Sequence, residues 1–327
     1  MSPHRSVVAV GGSAGGIEAL LELVASLPAD FPAPVMVTVH VGDRARSKLP
    51  EILSRAGLLS ASHARHGEPL RPGHIYVAPP DVHLLVGAGI VRLSSGPRVN
   101  RYRPAVDVMF AGLARWAGSG AVAVVLSGAL DDGAVGAALV AGAGGQVIVQ
   151  DPAEAAFDSM PRSAMSAVPA ARAVPTAQLG KTIHEQLKQS GARNDDREEG
   201  AQEMVDTMMS DSNDPGFLTA DEARLTRMSC PECNGGLAEI EIPHIRYYRC
   251  HVGHQYSPQT LEAAQREAAE AKLWAAAAAL EEHAAMARHL AEDTATNSAD
   301  YRQAAERSAD TAKSLISRLG GIRRQME

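Results

Sequence analysis

The run Val7-Val8-Ala9-Val10 passes directly into Gly11-Gly12-Ser13-Ala14-Gly15-Gly16 and then into a helical pattern from Ile17. A short, mostly β-branched run that stops at glycines reads as a buried parallel strand, a tight turn and a helix. Within the turn, Gly11-x-Ser13-x-Gly15 has the form in which small residues let a nucleophile stand on a sharp bend near a helix N-terminus. Phosphate or a dinucleotide can also sit on such a turn. The G-x-G-x-x-G spacing is missing, however, and the next strand ends in His40 instead of an acidic residue that would hold a ribose. On this motif alone a catalytic serine and a structural turn both stay open.

From Val7 to about Val174 strand-like and helix-like pieces alternate. Val35–Val39 and Ile75–Ala78 read as strands, Ser47–Ala56 as a helix, and 82–85 with 91–93 as a hairpin around Gly87-Ala88-Gly89. A helix follows over Val106–Trp116, then a continuous apolar strand Ala121–Leu126, a helix Gly133–Ala143 and a strand Gln146–Gln150. The alternation predicts a doubly wound α/β fold, a mainly parallel sheet with helices on both faces. Between Gln178 and Asp221 polar residues dominate and periodicity fades, which reads as an acidic linker with helical pieces near 183–187 and 203–208. After Ser257-Pro258, a capping serine and a proline suited to the first helical position, the chain reads as helical. Leu273, Ala277, Leu280, Ala284 and Ala287 form one stripe, and Tyr301, Ala305, Ser308, Ala312, Leu315, Leu319 and Ile322 another. Broken near Thr294–Ser298, the two helices are expected to pair as an antiparallel hairpin. The expected organisation is residues 1–177 as the α/β domain, 178–225 as linker, 226–257 as a small zinc ribbon and 258–327 as the hairpin.

The 327 residues carry a formal net charge of −7 with no basic run, which gives a nucleic-acid or anionic-membrane partner no electrostatic support. No segment is apolar for long enough to span a bilayer and none resembles a signal peptide, so a cytoplasmic chain is expected. The three cysteines, Cys230, Cys233 and Cys250, lie in one short region and argue for a metal site over a disulfide framework.

Ser13, His40 and the pair Asp131-Asp132 each follow a predicted parallel strand. In an open sheet those strand ends share one edge, where ligands bind. Serine is a weak nucleophile until an imidazole takes its proton, and the imidazole needs a carboxylate to fix its tautomer. These residue types on one edge therefore point to nucleophilic catalysis.

Several ordered blocks add a resemblance. They are Val10 to Gly16, Gly73-His74-Ile75-Tyr76-Val77-Ala78-Pro79, Val99-Asn100-Arg101-Tyr102-Arg103-Pro104-Ala105-Val106-Asp107, Leu126 to Gly133, and Phe157-Asp158-Ser159-Met160-Pro161-Arg162. Over about Val7–Val174 the chain resembles the catalytic domain of the chemotaxis receptor methylesterases, the CheB family of protein-glutamate methylesterases. The resemblance implies Ser13 as nucleophile, His40 as general base and Asp132 as orienting carboxylate, with Asp131 a solvated turn residue. It also implies that the amide of Ala129, with that of Ala14, helps hold the oxyanion. Ala14 and the turn Ser127-Gly128-Ala129-Leu130 depart from the family's usual Thr and Thr-Gly-Met-Gly, and Val39 stands where Gln is usual. Arg101 and Arg103 read either as steering groups for an acidic receptor surface or as structural ion pairs. His63, His66, His74 and His83 read as surface or hydrogen-bonded histidines.

Cys230-Pro-Glu-Cys233 and Cys250-His251-Val-Gly-His254 are ligand pairs about twenty residues apart, the spacing of a zinc ribbon. His251 adjoins Cys250 and is badly placed to turn to the same ion, so Cys230, Cys233, Cys250 and His254 are the expected set. Four protein ligands close such a site, which makes the zinc structural, with no cofactor for catalysis. A reversible dithiol is the alternative.

The reading that results is a serine hydrolase that removes methyl esters from glutamates of a receptor-like protein, and that could also deamidate glutamine. A degenerate fold that binds a partner without turnover, or a nucleotide or phosphate binder, are the alternatives. The family's phosphoacceptor domain is not seen ahead of Val7, so control is expected to come from the C-terminal half or from another protein. The ribbon and hairpin are expected to move independently on the linker and dock a regulatory protein, without entering the cleft.

Overall fold

The computed structural model describes residues 6–40, 47–190, 223–242, 245–292 and 298–326. The described chain divides into two compact units, Met1–Leu261 and Glu262–Glu327.

The first unit opens with strand β1 (Val7–Gly12), helix α1 (Gly16–Ala25), β2 (Val35–Val39), α2 (Leu49–Ala56), β3 (Ser60–His63) and β4 (His74–Val77). A hairpin β5 (His83–Gly87) and β6 (Ile90–Ser94) precedes α3 (Val106–Ala117), β7 (Ala121–Val125), α4 (Ala134–Gly142), β8 (Gln146–Gln150), α5 (Ser159–Ala167), β9 (Arg172–Val174) and α6 (Leu179–Ser190). Seven strands form one parallel sheet in the order β3-β4-β2-β1-β7-β8-β9. On one side of β1 the chain adds β2, then the edge strand β3, then β4 between them, and it then returns beside β1 to wind outward through β7, β8 and β9 on the other. That reversal is the switch point at which open α/β sheets place their sites.

Alternation along β1 sets the two layers, because successive side chains of a strand leave by opposite faces. Val7 and Ala9 join α3, α4 and the β5–β6 hairpin, whereas Val8 and Val10 join α1, α2 and α6. The fold expected from the alternating pattern is thus the one observed. The sequence reading differs at both ends of the domain. β3, with its half-exposed Ser60-Ala61-Ser62-His63, carries no apolar alternation and was not expected. The segment read as linker begins as α6, which contains the helical piece expected near 183–187 but belongs to the domain, with Leu179, Ile183 and Leu187 buried in its core. The rest of that segment to residue 222, including the helical piece expected at 203–208, lies outside the described residues.

The ribbon is a four-stranded antiparallel sheet of β10 (Ala223–Ser229), β11 (Gly236–Ile242), β12 (Ile245–Cys250) and β13 (Gln255–Tyr256). The expectation that it moves apart from the α/β domain is corrected by its contacts. Gln255 bridges Val99 of the α/β domain in parallel, and Tyr247, 3 % exposed, belongs to that domain's apolar core. Helix α7 (Pro258–Glu292) starts where expected: the Ser257 hydroxyl accepts the Thr260 amide at 3.1 Å, ahead of proline at the first helical position.

In the second unit the greater part of α7 pairs with α8 (Ser298–Met326). Ala277, Ala284, Ala287 and Ala291 are buried, as are Ala305, Ala312 and Leu319. His283 Nδ1 and Ser308 Oγ meet at 2.9 Å between the helices. Leu273, the first residue of the expected stripe, is exposed.

Candidate active site and metal cluster

Three neighbouring strands deliver the expected residues. Ser13 follows β1, and its amide donates to the Ser127 carbonyl beyond β7 at 2.9 Å. His40 follows β2, and its amide donates to the Gly12 carbonyl at 3.2 Å, which sets it beside the serine turn. Two glycines allow the close approach. A Cβ on Gly128 would meet the Ser13 Cβ at 2.9 Å, and one on Gly11 would collide with Val106 at the start of α3.

Asp132 collects four donors on its two oxygens. His40 Nε2 lies 2.8 Å from Oδ2, which also accepts the Val106 amide at 2.7 Å. Oδ1 accepts the Asp107 amide and Asn100 Nδ2, both at 3.1 Å. Burial pushes the Asp132 carboxyl upward, but the His40 hydrogen bond and charge and the two amides outweigh it and hold it below the ordinary range. An ionised carboxylate only accepts, so its imidazole partner carries the proton on Nε2 and the lone pair on Nδ1. His40 Nδ1 is buried and has no hydrogen-bond partner among the described residues. Tyr102 stacks on the ring with centroids 3.5 Å apart and planes 7° from parallel, which fixes its orientation.

The depressed Asp132 carboxyl has a consequence for acid stability. A carboxyl lowered on folding contributes stability above its unfolded pKa and loses that contribution as pH falls through its folded value. Asp132→Asn is therefore expected to flatten the decline of the thermal midpoint between about pH 5 and pH 2. Calorimetry across that range checks it, and an unchanged slope would contradict it.

Asp131 is not the solvated turn residue expected. It is 6 % exposed, and its Oδ1 accepts the hydroxyls of Ser257 at 2.7 Å and Thr260 at 2.6 Å. Burial pushes its carboxyl upward, and the two hydroxyls oppose that. Asn100, Tyr102, Asp107 and Thr260 were given no role from sequence, and Ser257 only that of a helix cap. Asn100 and Tyr102 sit in the quoted block 99–107, but nothing in their spacing marks them as neighbours of His40 and Asp132. Asp107 is fully buried and accepts Asn100 Nδ2 at 2.7 Å, Gly136 N at 2.7 Å and Gly133 N at 2.9 Å.

The remaining sequence candidates have structural partners. Arg103 binds Asp81 at 2.8 Å and the carbonyls of Ser95 and Gly96, so it forms a structural ion pair. His63 meets the Ser47 carbonyl, His66 accepts the Leu93 amide, and His74 lies between the hydroxyls of Ser60 and Ser62. His83 joins the Pro97 carbonyl and the Ala105 amide.

In the ribbon, ligand atoms of Cys230, Cys233, Cys250 and His254 all lie within 4.8 Å of one another. Cys233 and Cys250 sulfurs are 3.6 Å apart, and His254 Nδ1 is 3.5 Å from Cys250 Sγ and 3.7 Å from Cys230 Sγ. Tetrahedral zinc with sulfur at about 2.3 Å separates its ligands by roughly 3.5–3.8 Å, so the donor set fits a metal ion. His254 Nε2 lies 3.4 Å from Glu232, whose other oxygen accepts the Tyr256 hydroxyl at 2.8 Å. A carboxylate behind a histidine ligand fixes its tautomer. His251 lies outside the cluster, packed against Gly235.

A parallel α/β sheet with this edge defines the class, and comparison defines the family. The family model described as CheB methylesterase matches residues 8–183, and the chain belongs to that family. It is 40% identical over 194 residues to protein-glutamate methylesterase/protein-glutamine glutaminase 2 of Pseudomonas aeruginosa, covering 58% of this chain and 55% of that protein. To the protein of the same name in Anaeromyxobacter dehalogenans it is 37% identical over 179 residues, covering 55% of this chain and 52% of that protein. The chain thus spans about half the length of these curated relatives. The crystal structure of the Thermotoga maritima CheB methylesterase catalytic domain superposes with a TM-score of 0.53 at 32% identity, covering 55% of this chain and 97% of that one. No described helix is long and apolar enough to cross a membrane.

Proposed function

We propose that the chain is a serine hydrolase that removes methyl esters from glutamate side chains of a receptor-like signalling protein, with Ser13, His40 and Asp132 as its triad. The observation that carries this reading is the His40 ring, bound to Asp132 through Nε2 with Nδ1 unpaired, at the strand end beside Ser13. Nδ1 takes the Ser13 proton as Oγ attacks the ester carbonyl, and Asp132 stabilises the resulting imidazolium. The amides of Ala14 and Ala129, both on exposed residues of the two turns, hold the oxyanion. His40 returns the proton to the departing methanol. Water then attacks the acyl-enzyme as His40 accepts its proton, the proton passes to the departing Ser13 Oγ, and the protein's glutamate side chain is released as a free carboxylate. The relatives' names join glutaminase to methylesterase, and the same attack on a glutamine amide expels ammonia in place of methanol.

In this reading zinc occupies the Cys230, Cys233, Cys250 and His254 set as a structural ion, closed to substrate by four protein ligands. Methanol release from receptor-bearing membranes methylated with a labelled group tests the assignment. The chain is expected to release label, and Ser13→Ala to release none above background. Equal release from both would refute it.

A further inference from the structure

Four consecutive residues connect the metal cluster to the candidate active site. His254 faces the cysteines through Nδ1, and the Gln255 amide donates to the Arg98 carbonyl at 3.2 Å. The Gln255 carbonyl accepts the Asn100 amide at 2.9 Å. Tyr256, fully buried, sets its hydroxyl 3.3 Å from Cys230 Sγ. Ser257 then touches both loops that frame Asp132: its amide donates to Asn100 Oδ1 at 3.0 Å and its hydroxyl to Asp131 Oδ1.

We infer that this segment is a brace, and that the ribbon acts as a positioning element for the triad carboxylate. Asn100 donates its two Nδ2 hydrogens to Asp132 and Asp107, both buried. What fixes the amide in that orientation is the ribbon, which supplies the partners of its Oδ1 and its backbone N–H. The loop from Leu126 to Gly133, which bears Ala129 and Asp132, is tied from the same side, because Ser257 and Thr260 converge on Asp131. Two loops far apart in sequence are thus held against each other by one helix cap. The ribbon's four strands are short, and its order derives largely from the bound ion. Loss of zinc therefore loosens both loops, although no ligand touches substrate.

This inference rests on the triad reading for its catalytic meaning and is tested separately from it. Hydrogen exchange of the full chain, zinc-loaded and after chelation, reads the brace without turnover. Chelation is expected to speed exchange at the amides of Asn100, Val106, Asp107 and Gly133 about tenfold through easier local opening, and to leave β1 and β7 unchanged. Loop exchange that stays unchanged while β12 opens would overturn the inference. With a small aryl ester, Ser257→Ala is expected to lower kcat about tenfold with KM held within about twofold, and Ser257→Thr to recover most of it. A loss confined to KM, or one that threonine fails to rescue, would also overturn it. A zinc-loaded wild-type chain that never acylates Ser13 would refute the triad instead, and the exchange result would still decide the brace.

Discussion

With Ser13 as the proposed nucleophile, Ser13→Ala is expected to reduce turnover to what binding and the oxyanion amides leave, and His40→Ala is expected to cost about as much. Nucleophile and base act as a unit, so the losses do not add, and each is expected on the order of 10⁶-fold in kcat, as in a comparable triad. Asp132→Asn should cost about 10⁴-fold. Its amide offers His40 Nε2 either a weaker acceptor or a donor, and the wrong tautomer would put a proton on the nitrogen that must receive one. Asp131→Asn is expected to cost far less, because an amide oxygen still accepts from Ser257 and Thr260. Kinetics on a small ester, with circular dichroism to confirm each fold, give the ranking. A larger loss at Asp131 than at Asp132 would mean that the carboxylates are assigned the wrong way round.

Replacing Cys230 or Cys250 with serine is expected to release the ion and unfold the ribbon. Structural zinc contributes apparent free energies of about 10–16 kcal/mol in small domains, more than four short strands supply from their own core. The α/β sheet should survive, since two apolar layers enclose it independently of the cysteines. Metal analysis should find one zinc per chain, and thermal scans of the cysteine variants should lose an early transition and keep the main one. A metal-free chain with an intact ribbon would contradict this.

Much of the site was legible because parallel topology converts chain order into place. Ser13 and His40 directly follow apolar strands and Asp132 follows a third across a short turn, and adjacent strand ends must lie on one edge. The ribbon was legible through ligand spacing, which metal geometry dictates. The docking of the two was hidden, because its partners are far apart along the chain: Ser257 lies 126 positions from Asp131 and 157 from Asn100. An Asp-Asp pair in a turn also reads as solvated when its covering hydroxyls belong to another module. Residue spacing is also silent on which His40 nitrogen faces the carboxylate.

The most direct measurement of the central claim is covalent capture of the nucleophile. A fluorophosphonate added to the full chain, followed by peptide mass spectrometry, should place a single adduct on Ser13. His40→Ala should slow that labelling at least about a hundredfold, the lower range of general-base assistance. An adduct on another residue, or labelling of Ser13 at the same rate without His40, would contradict the account.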